Sequence, residues 1–206
     1  GPSAAPEAAY RSVDLDGVDN LRRVLGERGE RTPRVLFCAS TAVYGQERGE
    51  WVDETSPTKP RRWNGEILLS AERVLQARVP EAIVVRLGGI YGPGRPRRID
   101  SVGSGGARRR RRPHHPNRIH RDDAAALLAH LATATAPSHG CYLGVDDEPA
   151  DEAEVLVYLA ELLGVAPPPF ADDTDAPRRR AGSKRCRNER IRKEGFSFRH
   201  PSYREG

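Results

Sequence analysis

A short apolar run that ends in a serine is the feature that most constrains how this chain can fold. The run extends from Arg34 to Ser40 with the sequence RVLFCAS, and Thr41 to Gly45 follow it without a break. A continuous apolar run of this length is typical of a parallel strand buried on both faces, which indicates an α/β protein. A polar residue at the carboxyl end of such a strand faces the crevice where ligands bind. Ser40 is therefore the first candidate site residue.

The rest of the chain alternates between helix and strand patterns. Apolar residues at helical spacing predict helices over Asp16–Glu27, Asn64–Arg78, Arg121–Ala134 and Asp151–Leu163. Two further apolar runs predict strands over Ala82–Leu87 and Gly140–Val145. This alternation predicts a parallel sheet joined by right-handed crossovers. The polar stretches between these elements are predicted to be a loop over Gln46–Arg62 and a solvated turn at Asp146–Glu148.

The cysteines and histidines do not form a metal-site pattern. Cys38, Cys141 and Cys186 are odd in number and include no C-x-x-C pair. Free thiols of this kind are typical of a reducing compartment, so we expect a cytoplasmic protein. His114 and His115 lie between prolines that break any helix, so no metal is expected there. The chain has no run of about 18 apolar residues, so we expect no membrane contact.

Five consecutive arginines, Arg108–Arg112, lie within a segment of unusual composition, Pro96–Pro116. We predict that this segment is a mobile basic loop, with small residues at 101–106 acting as a linker. The formal net charge of +5 favours anionic partners. Three interpretations stay open: the arginines bind the phosphates of a small molecule, contact nucleic acid, or form a solvated loop. Nucleic acid is disfavoured because no aromatic side chains interleave with the arginines for base stacking.

Several stretches resemble one family in the order in which that family has them. STAVYG at 40–45 and RLGGIYGPGR at 86–95 are similar to the motifs of the fourth and sixth strands in extended short-chain dehydrogenases/reductases. This family contains nucleotide-sugar epimerases and dehydratases. Asn117–Asp123 and Tyr142–Pro149 resemble the family's late-helix element and the strand before its substrate lobe. Lys184–Tyr203 resembles the C-terminus of an atypical bacterial subgroup.

The resemblance implies a fold and a domain organisation. The expected fold is α/β, a Rossmann-like parallel sheet with flanking helices that lacks its first three strands, plus a small C-terminal substrate lobe. Residues 1–13 are then a ragged or tag-derived start, 14–150 a partial Rossmann-like domain, and 151–206 the small lobe and tail. Without its usual neighbours, the strand at Arg34–Ser40 has an open apolar edge, which predicts homo-oligomerisation.

The resemblance also assigns roles to individual residues. Ser40 is expected to hydrogen-bond the reacting oxygen of the substrate, with Thr41 as a substitute; the alternative for Ser40 is a local backbone bond. NAD or NADP is the expected cofactor, bound by a set of residues at the strand ends: Ala39, Tyr44, Gly88, Gly89, Ile90 and Tyr91. Arg95 and His120 are expected to contact a nucleotide-sugar or another phosphate-bearing small molecule. The alternative for His120 is a helix cap.

Two features of the family's pattern have no counterpart in the 206 residues. The Gly-rich turn that cradles the dinucleotide pyrophosphate is not found before Ser40. The Tyr-x-x-x-Lys pair is replaced by Asn64 and Leu68, which cannot exchange a proton with a substrate hydroxyl. We therefore expect an NAD(P)-binding, epimerase/dehydratase-like protein that is catalytically impaired or a fragment of a longer protein, and inactive alone. The alternative is a non-catalytic binding protein that uses Arg108–Arg112 for anionic partners.

Overall fold

The computed structural model describes residues 7–9, 11–12, 17–18, 20, 33–135, 137, 140–171 and 182–206. The helix predicted over Asp16–Glu27 and the start at 1–13 lie mostly outside these residues. The described elements from residue 33 onward are, in chain order, β1 (Leu36–Ser40), a 3₁₀ turn (Thr41–Val43), β2 (Glu50–Val52), α1 (Trp63–Arg78), β3 (Ile83–Leu87), β4 (Gly89–Tyr91), α2 (Arg97–Gly103), β5 (Arg118–His120), α3 (Arg121–Thr133), β6 (Cys141–Gly144), α4 (Glu152–Leu162), β7 (Lys184–Cys186) and α5 (Glu189–Lys193).

The main sheet is parallel and has the strand order β1-β3-β6. All five residues of β3 are buried, which explains why this central strand is an unbroken apolar run apart from Arg86. The predicted parallel α/β fold is confirmed. Within the part of the chain that the structure describes, β1 pairs on one side only, and Cys38 in its middle is exposed.

Both faces of this sheet are covered by apolar clusters. One cluster joins β3 and β6 to α3 and includes Phe196 and Phe198 from the C-terminal segment. The cluster on the other face contains Val43, Leu68 and Leu143. The residues after β7 thus contact both the main sheet, through Phe196 and Phe198, and α4, through Tyr203. The division at residue 150 between two lobes stays a prediction.

Two short strand pairs were not expected from the sequence. β2 lies within the stretch predicted to be a loop and pairs in parallel with β7, where Val52 faces Cys186 in the register. β4 pairs in parallel with β5, where Gly89 faces Arg118. Each of these strands has three residues. A strand this short shows no periodicity, so its pairing partner alone defines it.

The segment Pro96–Pro116 is partly helical. The linker predicted over 101–106 is wrong as far as Gly103, because α2 extends that far. Val102 on α2 is 3% exposed and packs with Ala107 and with Leu156 and Ala160 of α4. This small cluster holds α2 against α4. None of the described helices is long and apolar enough to cross a membrane.

Candidate active site

The carboxyl ends of β1 and β3 bring the predicted site residues together. Ser40 is the last residue of β1 and lies opposite Leu87, the last residue of β3. Gly88 follows Leu87 directly and leads into β4. Because parallel strands end at the same edge of a sheet, Ser40 and the glycine-rich loop face one crevice. The placement of Ser40 at the strand end agrees with the sequence prediction.

Ser40 caps the turn that follows it. Its half-buried hydroxyl Oγ accepts a hydrogen bond from the backbone N–H of Ala42 at 3.2 Å and so begins the 3₁₀ turn. This is the local backbone bond that the alternative interpretation expected. The bond uses one lone pair of Oγ and leaves its O–H free to donate to a bound oxygen. Thr41, the predicted substitute, is buried.

Tyr44 lies in the protein interior. Its side chain is 2% exposed, and its hydroxyl accepts a hydrogen bond from Arg86 Nη1 at 2.7 Å. Arg86 in turn forms a bidentate ion pair with Glu72, with Nη2 2.6 Å from Oε2 and Nε 3.1 Å from Oε1. Burial raises the pKa of the Tyr44 hydroxyl well above its usual value. Tyr44 therefore belongs to a structural network. Ala39, at the end of β1, is also buried and belongs to the core.

The loop after β3 is shaped by backbone packing. A Cβ on Gly88 would lie 2.9 Å from the backbone of Asn117, so glycine is required there by the close approach of β5. Gly89 is exposed, and Ile90 and Tyr91 are half-buried. The hydroxyl of Tyr91 donates a hydrogen bond to the backbone oxygen of Ser202 at 2.9 Å. Burial raises the pKa of Tyr91 well above its usual value.

His120 serves as a helix cap, and Arg95 lies in solvent. The Nδ1 atom of His120 accepts a hydrogen bond from the backbone N–H of Asp122 at 3.2 Å and begins α3. Burial and the neighbouring His200 lower the pKa of His120, which favours the neutral ring that can accept this bond. The ring also contacts Tyr91 edge-on, with centroids 5.3 Å apart. Arg95 is exposed on the loop between β4 and α2.

Asp123 anchors the C-terminal segment beside this cap. It is 2% exposed and accepts hydrogen bonds from the backbone N–H groups of Arg199 and His200, both at 2.8 Å. The Nδ1 atom of His200 lies 3.1 Å from Asp123 Oδ2. The rings of His120 and His200 stack with centroids 3.7 Å apart. One ring nitrogen of each histidine and one carboxylate oxygen of Asp123 lie within 4.8 Å of one another. The motif at Asn117–Asp123 placed Asp123 at the start of a helix and did not indicate its contact with the C-terminal segment.

The solvated turn predicted at Asp146–Glu148 is wrong at its first residue. Asp146 is 2% exposed because it follows β6 directly and its backbone N–H donates to the oxygen of Arg118 at 2.7 Å. Burial raises the pKa of Asp146 to about 8, and the neighbouring Asp147 and Glu148 add to the shift, whereas Arg118 opposes it. The sequence DDE gave no sign of this burial. The carboxyl group of Asp146 is protonated at neutral pH.

This raised pKa predicts how stability depends on pH. The folded chain binds the Asp146 proton up to about pH 8, whereas an unfolded Asp releases it near pH 4. Its contribution to the free energy of unfolding therefore falls as the pH rises between these values. We expect Asp146→Asn to remove this decrease, so that the variant gains stability relative to the parent protein from pH 5 to pH 8. Urea unfolding across that range measures the difference; parallel pH profiles would contradict it.

The residues at the positions of the missing Tyr-x-x-x-Lys pair line the buried face of α1. Asn64 and Leu68 are 9% and 6% exposed. The nearest buried lysine of the described chain comes from β7: Lys184 Nζ donates to the backbone oxygen of Tyr44 at 3.2 Å, and burial lowers its pKa. No sequence pattern linked Lys184 to the motif at 40–45. A shallow open pocket with room for little more than a water molecule lies beside this region and is lined by Ala42, Tyr44, Gly45, Glu47, Arg61, Arg62 and Gly182.

The arginine run is engaged by the protein itself. Arg109 Nε donates to the backbone oxygen of Pro168 at 2.6 Å, and its guanidinium lies 4.3 Å from the ring centroid of Phe170. Arg108 donates to the backbone oxygen of Gly105 at 2.7 Å. Arg110 lies 3.9 Å from Glu152. These contacts give Arg108, Arg109 and Arg110 intramolecular partners.

Comparison with known proteins places the chain in a family. No protein-family model matches it. The chain is 32% identical to protein YeeZ of Escherichia coli K12 over 177 residues, which covers 83% of the chain and 60% of YeeZ. The chain therefore spans about three fifths of the length of this curated relative.

Solved structures extend the match. A conserved protein of unknown function from Silicibacter pomeroyi is 36% identical with a TM-score of 0.79, over 95% of this chain and 70% of that one. A protein from Methylobacillus flagellatus, described as a candidate NAD-dependent epimerase/dehydratase, is 32% identical with a TM-score of 0.76, over 97% and 71%. The human epimerase family protein SDR39U1, solved with NADPH, shares the fold at a TM-score of 0.80 and 18% identity. On these matches and the motifs at the strand ends, the chain belongs to the NAD-dependent epimerase/dehydratase family.

Proposed function

We propose that this chain supplies the nicotinamide and substrate side of an NAD(P)-binding, epimerase/dehydratase-like protein. The observation that carries the proposal is that β1 and β3 end at the same edge of the sheet, where Ser40 keeps a free O–H and Gly89 is exposed. A binding crevice at this position is typical of open parallel sheets. The substrate class that we propose is a nucleotide-sugar or another phosphate-bearing small molecule. One relative of the same fold, MoeE5, was solved with UDP-glucose and NAD.

The residues of the chain fit the nicotinamide end of the cofactor better than its phosphates. Ser40, Gly89 and Ile90 are accessible at the strand ends. Gly88 leads into β4 and not into a helix, so it offers no helix N-terminus to a pyrophosphate. No Gly-rich turn opens a helix elsewhere in the sequence. The account therefore assigns this chain the nicotinamide contacts only.

The chain's own residues provide hydrogen bonding and little proton transfer. A bound nicotinamide would supply hydride chemistry. Ser40 Oγ–H would donate to an oxygen of the substrate and orient it. The pKa values of Tyr44 and Tyr91 are both raised, so neither hydroxyl loses its proton at neutral pH. Asn64 and Leu68 carry no titratable group. We therefore expect the chain alone to bind and not to turn over a nucleotide-sugar.

Saturation-transfer NMR with NADPH and NADH tests this proposal directly. We expect transfer from the protein to the nicotinamide protons and little to the adenine protons, with a dissociation constant on the order of 1 mM. Nicotinamide mononucleotide is the matched ligand control and should compete, whereas ADP should not. Transfer confined to the adenine protons, or competition by ADP alone, would overturn the assignment of the nicotinamide side to this chain.

Within the described residues β1 has an unpaired side, and this supports a further proposal about partners. Leu36 and Phe37 are half-buried and Cys38 is exposed, so the open edge of β1 offers backbone groups and apolar side chains to another strand. We propose that two copies of the chain associate along this edge. The free thiols of Cys38, Cys141 and Cys186 also support the proposed cytoplasmic location.

A further inference from the structure

Arg118 is a buried cation, and one edge of its guanidinium has no partner among the residues that the structure describes. The residue lies in β5 and is 6% exposed. Its Nη1 atom donates to the backbone oxygen of Ala150 at 3.3 Å. Within the described residues, Nε and Nη2 have no hydrogen-bond partner. These two N–H groups form the edge of the guanidinium that binds a carboxylate or a phosphate with two parallel hydrogen bonds.

Asp146 lies close enough to Arg118 to influence its charge but does not pair with it. The electrostatic effect of Asp146 raises the pKa of Arg118, against the stronger lowering by burial. The two side chains nevertheless form no ion pair, and Asp146 Oδ2 is buried without a hydrogen-bond partner among the described residues. A carboxyl group that is protonated at neutral pH donates through its O–H. Asp146 therefore brings a hydrogen-bond donor into the neighbourhood of Arg118, to which its own backbone N–H is also bonded.

The remaining neighbours of Arg118 do not compensate its charge. Glu152 is the other acidic side chain nearby, and it is paired with Arg98 at 2.6 Å. The ring of Tyr203 lies 6.0 Å from Arg118 Cζ, which places the C-terminal segment over the guanidinium. Leaving a buried cation without an anionic partner is costly in proteins. Three unused polar atoms in one interior region thus indicate a site for an anionic group.

We propose that Arg118 and Asp146 form a binding site for the oxyanion of a small molecule, a carboxylate or a phosphate. Nε–H and Nη2–H of Arg118 would donate to two oxygens of the anion, and the Asp146 O–H would donate to one of them. Arg118 pairs with Gly89 in the β4–β5 register, so the site lies next to the accessible loop at the sheet edge. This proposal does not depend on cofactor binding. Entry requires displacement of the segment around Tyr203.

The arginine side-chain N–H signals of the full chain provide the test. In ¹⁵N-detected NMR, inorganic phosphate and acetate are titrated separately, so that the phosphate and carboxylate sources of the oxyanion are distinguished. We expect saturable shifts of the Arg118 Nε–H signal with at least one anion. Arg118→Gln should weaken that binding roughly 10- to 100-fold. The matched control is Arg97→Gln, an exposed arginine on α2, which should bind like the parent chain.

Two further variants keep the test decisive if Arg118→Gln does not fold. Arg118→Lys keeps the charge and loses the two-pronged edge, so we expect binding to weaken with it too. Asp146→Asn keeps a neutral donor, so its affinity should stay within a few-fold of the parent chain. Unchanged Arg118 signals with both anions in the parent chain would mean that the atoms bind buried water only, and the proposal would be wrong. Equal affinity of the parent chain and Arg118→Gln would also overturn it.

Discussion

Replacing Glu72 with Gln is expected to lower the free energy of unfolding by about 3–5 kcal/mol. Glu72 is 2% exposed, and both of its oxygens accept hydrogen bonds from Arg86, which also donates to Tyr44. A glutamine side chain keeps one acceptor and turns its NH₂ group toward the guanidinium. The positive charge of Arg86 then stays buried without its counter-charge. Urea unfolding monitored by circular dichroism measures the change.

A matched variant on the same helix separates this effect from helix propensity. Glu66→Gln makes the same chemical change at an exposed position of α1 and should shift the stability by no more than about 0.5 kcal/mol. A triple variant, Glu72→Leu with Arg86→Met and Tyr44→Phe, removes every member of the network and should recover most of the lost stability. Equal stabilities of Glu72→Gln and Glu66→Gln would show that the buried pair is not formed.

Asp123→Asn is expected to cost about 2–4 kcal/mol and to loosen the C-terminal segment. The carboxylate accepts from two backbone N–H groups, those of Arg199 and His200, and contacts the ring of His200. The amide of asparagine supplies one acceptor oxygen for these donors, and its own NH₂ group opposes the others. Hydrogen exchange at residues 199–206 should become faster than at the core of β3.

The control for this prediction is the preceding residue. Asp122→Asn changes an exposed carboxylate whose ion pair with Arg121 is also exposed, so its effect should stay below about 1 kcal/mol. If Asp123→Asn leaves hydrogen exchange of the C-terminal segment unchanged, Asp123 does not anchor it. The anchor matters for the site because the same segment covers Tyr91 through Ser202.

The main sheet could be predicted from the sequence because its strands are apolar runs with local signals. β1, β3 and β6 lie where those runs predicted them, and Ser40 ends its strand as expected. The longer helices α1, α3 and α4 also match their apolar spacing within two residues. The helix cap that was the alternative role for His120 follows from its position directly before α3. In each case, the information lies within one element.

The features that could not be predicted depend on partners far apart in the sequence. Asp123 and His200 are separated by 77 residues, and no local pattern links them. Tyr44 has the family's motif around it, but its burial follows from Arg86, which comes 42 residues later. Asp146 lies in an acidic turn, and its burial follows from the course of β5 beside it. At these three positions, contacts between distant parts of the chain determine burial, and the neighbouring sequence does not indicate them.

Protein-observed NMR with added NADPH shows where on the chain the nicotinamide binds. We expect the backbone signals of Ser40, Gly89 and Ile90 to shift together and saturate, while those of Arg108–Arg112 shift little. Nicotinamide mononucleotide should move the same signals. Shifts concentrated at Arg108–Arg112, with the strand-end residues unchanged, would contradict the account and favour a protein that binds anions through its arginine run.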